Sequence, residues 1–290
     1  MVGDEPFLRA ILADPADDAP WLIYADWLEE RGDPRSEFIR AQCELARLSP
    51  SDPRRPGLEA RELALLKSHQ KRWAEPLAGL VENWAFHRGL VWHVTMRPQQ
   101  FLSHAEHVCQ LAPVRGVTFW NGREDIRVDD LATCPSLRRK VSVGFATGSV
   151  VEVQDMYGGQ GVSTPGYDNR VGDAGAEALA AAPFVDGLTA LNLSGNGITA
   201  RGAQALAGSA QLANLCWLDL SRNGIGGSAI QALGRAAWRW LGRQSTGTPG
   251  AGVRALVDSP YLTRLDLRKN HLSAEDEQAL RQRFGDRAHF

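Results

Sequence analysis

The sequence predicts an α/β fold. It reads as a solenoid of strand–helix repeats, with short parallel strands on a concave side and helices on the convex side, preceded by a small all-helical domain. Three observations lead there. Three segments of the carboxy-terminal part align without gaps on one leucine-spaced pattern. An Ala-Leu-containing helical stretch follows each of them. The first 75 residues carry apolar side chains at helical spacing, interrupted by helix-starting chemistry. The expected division is therefore 1–75 and 76–290.

In the first part, four apolar runs are each opened by an Asp and a Pro: Asp4 with Pro6, Asp18 with Pro20, Asp33 with Pro34, and Asp52 with Pro53. An Asp at a helix start accepts hydrogen bonds from first-turn N–H groups. Pro is tolerated there because its missing N–H would have had no partner. Phe7, Leu8, Ile11 and Leu12 share one helical face, and Trp21, Leu22, Ala25 and Leu28 another. Phe38, Ala41, Leu45 and Leu48 follow, then Leu63, Leu66 and Trp73. Gly32 suits a left-handed cap on the second helix.

The run FLRAILADPADDAPWLIYADWLEERGDPRSEFIRAQCELARL, within roughly the first 50 residues, resembles the bacterial repeat-companion domain. The signature is Tyr-Ala-Asp-Trp-Leu-Glu-Glu followed by Gly-Asp-Pro; Ser36 stands where that family usually has Gly. The resemblance implies a helical unit ahead of repeats, and little chemistry. Tyr24, Asp26, Trp27, Glu29, Glu30 and Asp33 could be read as a carboxylate site, but a cap, a helix end and a packed aromatic explain them better.

The three aligned segments start at Leu188, Leu215 and Leu262, and all fit L-x-x-L-x-L-x-x-N. Alternating leucines of a short strand point into the core. Asn196, Asn223 and Asn270 are the residues that would bond backbone groups left open at the strand exit, with Asn169 in the same role upstream. Helical stretches around Leu179, Leu206, Leu233 and Leu280 complete the units. The pattern resembles leucine-rich repeats of the ribonuclease-inhibitor class. Leu188 to Leu215 is 27 residues, whereas Leu215 to Leu262 is 47, so one degraded repeat containing Ala255 and Leu256 is expected between them. Strand-like runs from Val91 and Val114, and Arg138–Val143, extend the series to about eight units from residue 90. The pattern degenerates at 139–168 and 236–250. Functional loops, decayed repeats and frame-slipped sequence all fit those stretches.

Composition narrows the function. The net charge of −2 gives no chain-wide field to draw in nucleic acid or an anionic membrane. No stretch approaches the roughly 18 apolar residues of a membrane helix, and the acidic amino terminus does not read as a signal peptide. Cys43, Cys109, Cys134 and Cys216 form no CxxC pair, which suits free thiols in the cytoplasm. No phosphate-binding loop, nucleophile elbow or HExxH occurs. His104 and His107 share a helix face without a third ligand, so neither a metal nor a cofactor is expected.

What remains is a binding surface for a protein whose identity the sequence does not give. Strand residues flanking the core leucines point to the concave side. Those positions give His93, Thr95 and Arg97; Thr118 and Trp120; Ala190, Asn192 and Ser194; Trp217, Asp219 and Ser221; and Arg264, Asp266 and Arg268. An outward Trp beside Arg and Asp has the composition of a protein-binding hot spot. The expected function is a non-catalytic interaction or scaffolding module. The alternatives are a regulatory or substrate-recruiting subunit of an enzyme complex, such as one stimulating nucleotide hydrolysis or serving as a ligase adaptor, and a decayed paralogue.

Overall fold

The computed structural model of the chain describes residues 3–49, 51–120, 127–132, 134–139, 142–145, 171–212 and 214–225, then 264–266, 268, 274, 277–278, 281–282, 285 and 288–289. Asn169, Asn270, nearly all of 139–168 and the whole of 236–250 lie outside the described residues. The chain divides into two compact units. The first takes in residues up to Val94 together with Glu106–Val114, and the second Thr95–Ala105 with the described residues from Arg115 onward.

The first unit opens with four helices: α1 (Glu5–Ala13), α2 (Asp18–Glu29), α3 (Arg35–Arg47) and α4 (Arg55–Trp73). Their starts differ in detail from the expected ones. The cap of α2 is Asp17, whose carboxylate accepts from the Ala19 amide at 2.9 Å; Asp18 is already helical. Asp4 caps α1 by position, without a side-chain capping bond. Asp33 stands one residue before the cap of α3 and Asp52 two before that of α4, accepting from the Arg35 and Arg54 amides at 2.9 Å, so α4 begins at Arg55 rather than beside Pro53. Gly32 sits at φ +66°, a left-handed conformation that costs glycine no Cβ clash.

These helices are completed by a hairpin of β1 (Asn83–His87) and β2 (Leu90–Met96). Arg88 and Gly89, at φ +46° and +82°, form its two-residue turn. Leu90 and Trp92 join Ile11, Trp21, Tyr24, Ala25, Leu28, Ile39 and Cys43 in one core. A Cβ on Gly89 would lie 2.8 Å from the Ile39 side chain, so glycine is required for the hairpin to meet α3. Arg88 is buried and ion-pairs with Asp18 at 2.6 Å. Its amide donates to Gln42, which in turn donates to buried Glu62 at 2.6 Å. Burial pushes the Glu62 carboxyl upward, and the Gln42 bond opposes that. Apolar residues beyond position 75 thus belong to the helices' core, and the unit is not made of helices alone.

The second unit holds a parallel sheet: β3 (Gly116–Phe119), β4 (Ser142–Phe145), β5 (Ala190–Asn192), β6 (Trp217–Asp219), β7 (Arg264–Asp266) and β8 (Ala288–His289), each strand paired with the next. Helices α5 (Pro98–Leu111), α6 (Val128–Ala132), α7 (Gly172–Ala181) and α8 (Ala200–Gly208) lie between strands in the chain. Val117, Val143, Leu191 and Leu218 occupy one register row and are essentially inaccessible, as are Leu179 and Leu206 on the helices. This alternation, with leucines one way and shorter or polar residues the other, is the period-2 signal of a strand with a buried face.

The expected degraded repeat with Ala255 and Leu256 falls on residues 226–263, which lie outside the described residues. On either side of them in the chain, β6 and β7 pair directly, Trp217 with Arg264 and Asp219 with Asp266, and the ladder continues as the Leu220 amide donates to the Asp266 carbonyl at 3.0 Å. The hydrogen-bonding edge of β6 is thus taken by β7.

Candidate binding face

The parallel register converts the concave candidates into rows. One row runs Gly116, Ser142, Ala190, Trp217, Arg264. The next runs Thr118, Gly144, Asn192, Asp219, Asp266, His289. Parallel strands lie about 4.8 Å apart, so neighbours in a row shield one another.

That shielding divides the candidates. Thr118, Asn192 and Asp266 are buried, and so are Thr95 and, in the first unit, His93. Gly144 shows the tightness: a Cβ there would meet Thr118 Oγ1 at 3.0 Å and the Asn192 Cβ at 3.5 Å. These five residues expose too little side chain to carry a contact in this structure. Trp217 and Asp219 are half-buried, and Arg268 is exposed. Trp120 is half-buried, with the exposed Arg97 guanidinium 5.1 Å from its ring centre. Arg264 is placed by its backbone alone, in the row with Trp217.

Several of these polar residues also have a local structural task. Asn192, Asp219 and Asp266 each accept, through Oδ1, the amide two residues on: Ser194 at 2.9 Å, Ser221 at 2.8 Å and Arg268 at 3.0 Å. Such turns end a strand by offering the amide a side-chain partner in place of a ladder bond. Arg268 then closes back on Asp266 through Nε (2.9 Å) and Nη2 (2.6 Å) to the same carboxylate oxygen. Burial pushes the Asp219 carboxyl above the ordinary range; bonds from Ser221 oppose this, and Asp266 beside it adds to it.

Past the strands, the repeat asparagines tie successive turns together. Asn223 is buried; it donates to the carbonyls of Leu193 and Leu220, both at 2.9 Å, and of Ser221 at 3.2 Å, and accepts from the Ile198 amide at 3.0 Å. Asn196 donates to Phe145 and Ser194 carbonyls, both at 3.0 Å, and accepts from the Val171 amide at 3.4 Å. Before each Asn stands a left-handed residue, Gly195 at φ +67° and Arg222 at φ +58°. On the helix side, Asp173 at the start of α7 accepts from Thr199 N (2.8 Å), Thr199 Oγ1 (2.6 Å) and Gly202 N (2.9 Å) at the start of α8. Sequence reasoning missed this staple. Its available signal was an acid in one helix and a Thr-x-x-Gly start in the next.

The remaining candidates do not converge. Tyr24 is fully buried, and burial pushes its phenol up to about 12, with Arg35 opposing. Asp33 pairs with Arg35 at 2.6 Å, and both Asp26 and Glu29 pair with Arg40, at 2.6 and 2.7 Å. Each of those carboxylates is held by an arginine, Asp26 and Glu29 by the same one. His104 and His107 are exposed on α5. Among the described residues, no cluster of His, Cys, Asp and Glu could hold a metal ion, and no helix is long and apolar enough to cross a membrane.

The family comparison bears on the register rows and the asparagine bonds alike. A model described as Leucine Rich repeat matches residues 168–180, 188–207, 217–234 and 258–280. The chain carries leucine-rich repeats. The matched segments include β5, β6 and β7, most of α7 and nearly all of α8, so the row residues of those three strands are repeat residues. The comparison with curated proteins finds no match.

Proposed function

We propose that this chain is a non-catalytic protein–protein interaction module. Its leucine-rich repeats, of the ribonuclease-inhibitor class, stack as a solenoid behind a repeat-companion domain. It works in the cytoplasm, and a partner protein docks on the concave side. The observation that carries the reading is the opening of the sheet face at β6 and just past the end of β7. There, Trp217 and Asp219 emerge half-buried beside exposed Arg268, in register with Arg264. Trp and Arg are the residue types that most often dominate binding energy, and a half-buried Trp is already held in place by its neighbours. Repeats supply a rigid row of side chains at fixed spacing, so little ordering is required on binding.

The experiment is a quantitative pull-down from native lysate. One bait is the intact chain, and the other carries Trp217→Ala with Arg268→Ala and matches the first by circular dichroism. At least one protein is expected on the first bait and lost from the second. Identical recoveries would move binding off β6 and β7, and no specific recovery would favour a decayed paralogue.

A further inference from the structure

The whole-chain charge hides an asymmetry. Residues 1–34 hold nine Asp and Glu against two Arg, while the rest of the chain holds 25 against 30 Lys and Arg. Within that acidic segment, α2 leaves one side uncovered. Ala19, Ile23, Asp26 and Glu30 are spaced as one helical face, and all four are exposed. Ile23 is 56% exposed, the highest value of any large hydrophobic residue among those described. One turn further on, Trp27 is half-buried, its ring packed on Phe7 and Tyr24 at 5.4 and 5.9 Å, with the Arg31 guanidinium 3.8 Å above it. Ile23 thus stands beside a pre-ordered aromatic ring, and the acids along the helix lie at its rim. Arg40 engages Asp26 and Glu29, yet their side chains remain 65% and 68% exposed.

We propose that this face of α2 docks a basic amphipathic segment of a partner protein. The partner's apolar residue covers Ile23 and the edge of Trp27, and its Lys or Arg side chains meet Asp26, Glu29 and Glu30. Charge complementarity selects a cationic occupant. The exposed isoleucine gives a reason for contact beyond long-range attraction, since burying it removes apolar surface from water. This site is independent of the sheet face proposed above.

The test uses the full chain and a fluorescein-labelled helical peptide with leucines on one side and lysines and arginines on the other, read by anisotropy. An acidic peptide with the same leucines is the control. Saturable binding of the basic peptide alone is expected, weakening as ionic strength rises. Ile23→Ser is expected to raise Kd about tenfold or more, and Asp26→Lys with Glu30→Lys is expected to abolish binding. Ile23 is exposed enough that Ile23→Ser leaves the fold intact, as its thermal melt checks. Trp217→Ala is expected to change nothing, which separates this proposal from the sheet face. Absence of binding would overturn it. So would a Kd indifferent to Ile23→Ser, which would mean attraction to acidic surface without a site.

Discussion

Asn223 carries a large stability consequence in its repeat turn. Its two N–H groups are shared among the Leu193, Leu220 and Ser221 carbonyls and its Oδ1 accepts the Ile198 amide; a shorter apolar side chain removes that partner from all four, though Ser221 keeps the Gly195 amide. Orphaned buried backbone groups are costly, so Asn223→Ala is expected to destabilise the repeats by about 2–4 kcal/mol, measured by urea denaturation. The neighbouring residue offers the opposite change. Arg222 occupies a left-handed conformation at φ +58° where the preceding repeat has Gly195. An L side chain pays there for a clash that glycine avoids, partly offset by glycine's looser unfolded chain. Arg222→Gly is therefore expected to stabilise by about 0.5–1 kcal/mol, seen as a higher urea midpoint with an unchanged slope. The role of Asn in L-x-x-L-x-L-x-x-N could be read from the string alone, since a polar residue at a fixed offset from buried leucines must serve backbone groups. The second role of Asn192, Asp219 and Asp266 was hidden. As outward strand positions they read as binding residues, and only the bond to the amide two residues on reveals them as strand terminators.

Elements show the same mixture. Strands β5, β6 and β7 were legible because their leucines alternate, and α7 and α8 because Ala-Leu ends ten residues after Asn169 and Asn196 alike. The hairpin was half-legible. VWHVTM reads as a strand, but Arg88-Gly89 is not a usual hairpin turn pair, and its docking on α3 depends on contacts distant in sequence. The direct pairing of β6 with β7 was not legible, since spacing records chain length and not which edges pair. The staple between α7 and α8 has a testable pH dependence. Burial opposes ionisation of Asp173, but the bonds from Thr199 and Gly202 outweigh it, and its carboxyl lies below its ordinary value of 3.8. A carboxyl lowered by folding adds stability that is present above the unfolded value and lost as pH falls through the folded value. Asp173→Asn is thus expected to flatten the acid side of the stability–pH profile, below about pH 4, and to leave its shape near neutrality unchanged. An unaltered acid limb would mean that the staple is not an ionic one.

At the scale of the whole molecule, repetition converts single-residue chemistry into a surface. Each repeat adds one strand in fixed register, so the outward residues of successive repeats line up in rows. Small residues along β3, β4 and β5 close the face there, and the larger Trp217 opens it at β6, with exposed Arg268 just past the end of β7. Which repeats present an open surface was not legible in the sequence, because the outward-pointing pattern is the same in all of them. Only side-chain size across the register decides. The most direct measurement is oxidative footprinting of Trp217 in the intact chain, with and without a captured partner protein. If β6 and β7 carry the binding surface, oxidation of Trp217 falls several-fold in the complex, while exposed His104 and His107 on α5 keep their rates. A complex that forms with Trp217 oxidised as fast as in the free chain would contradict it.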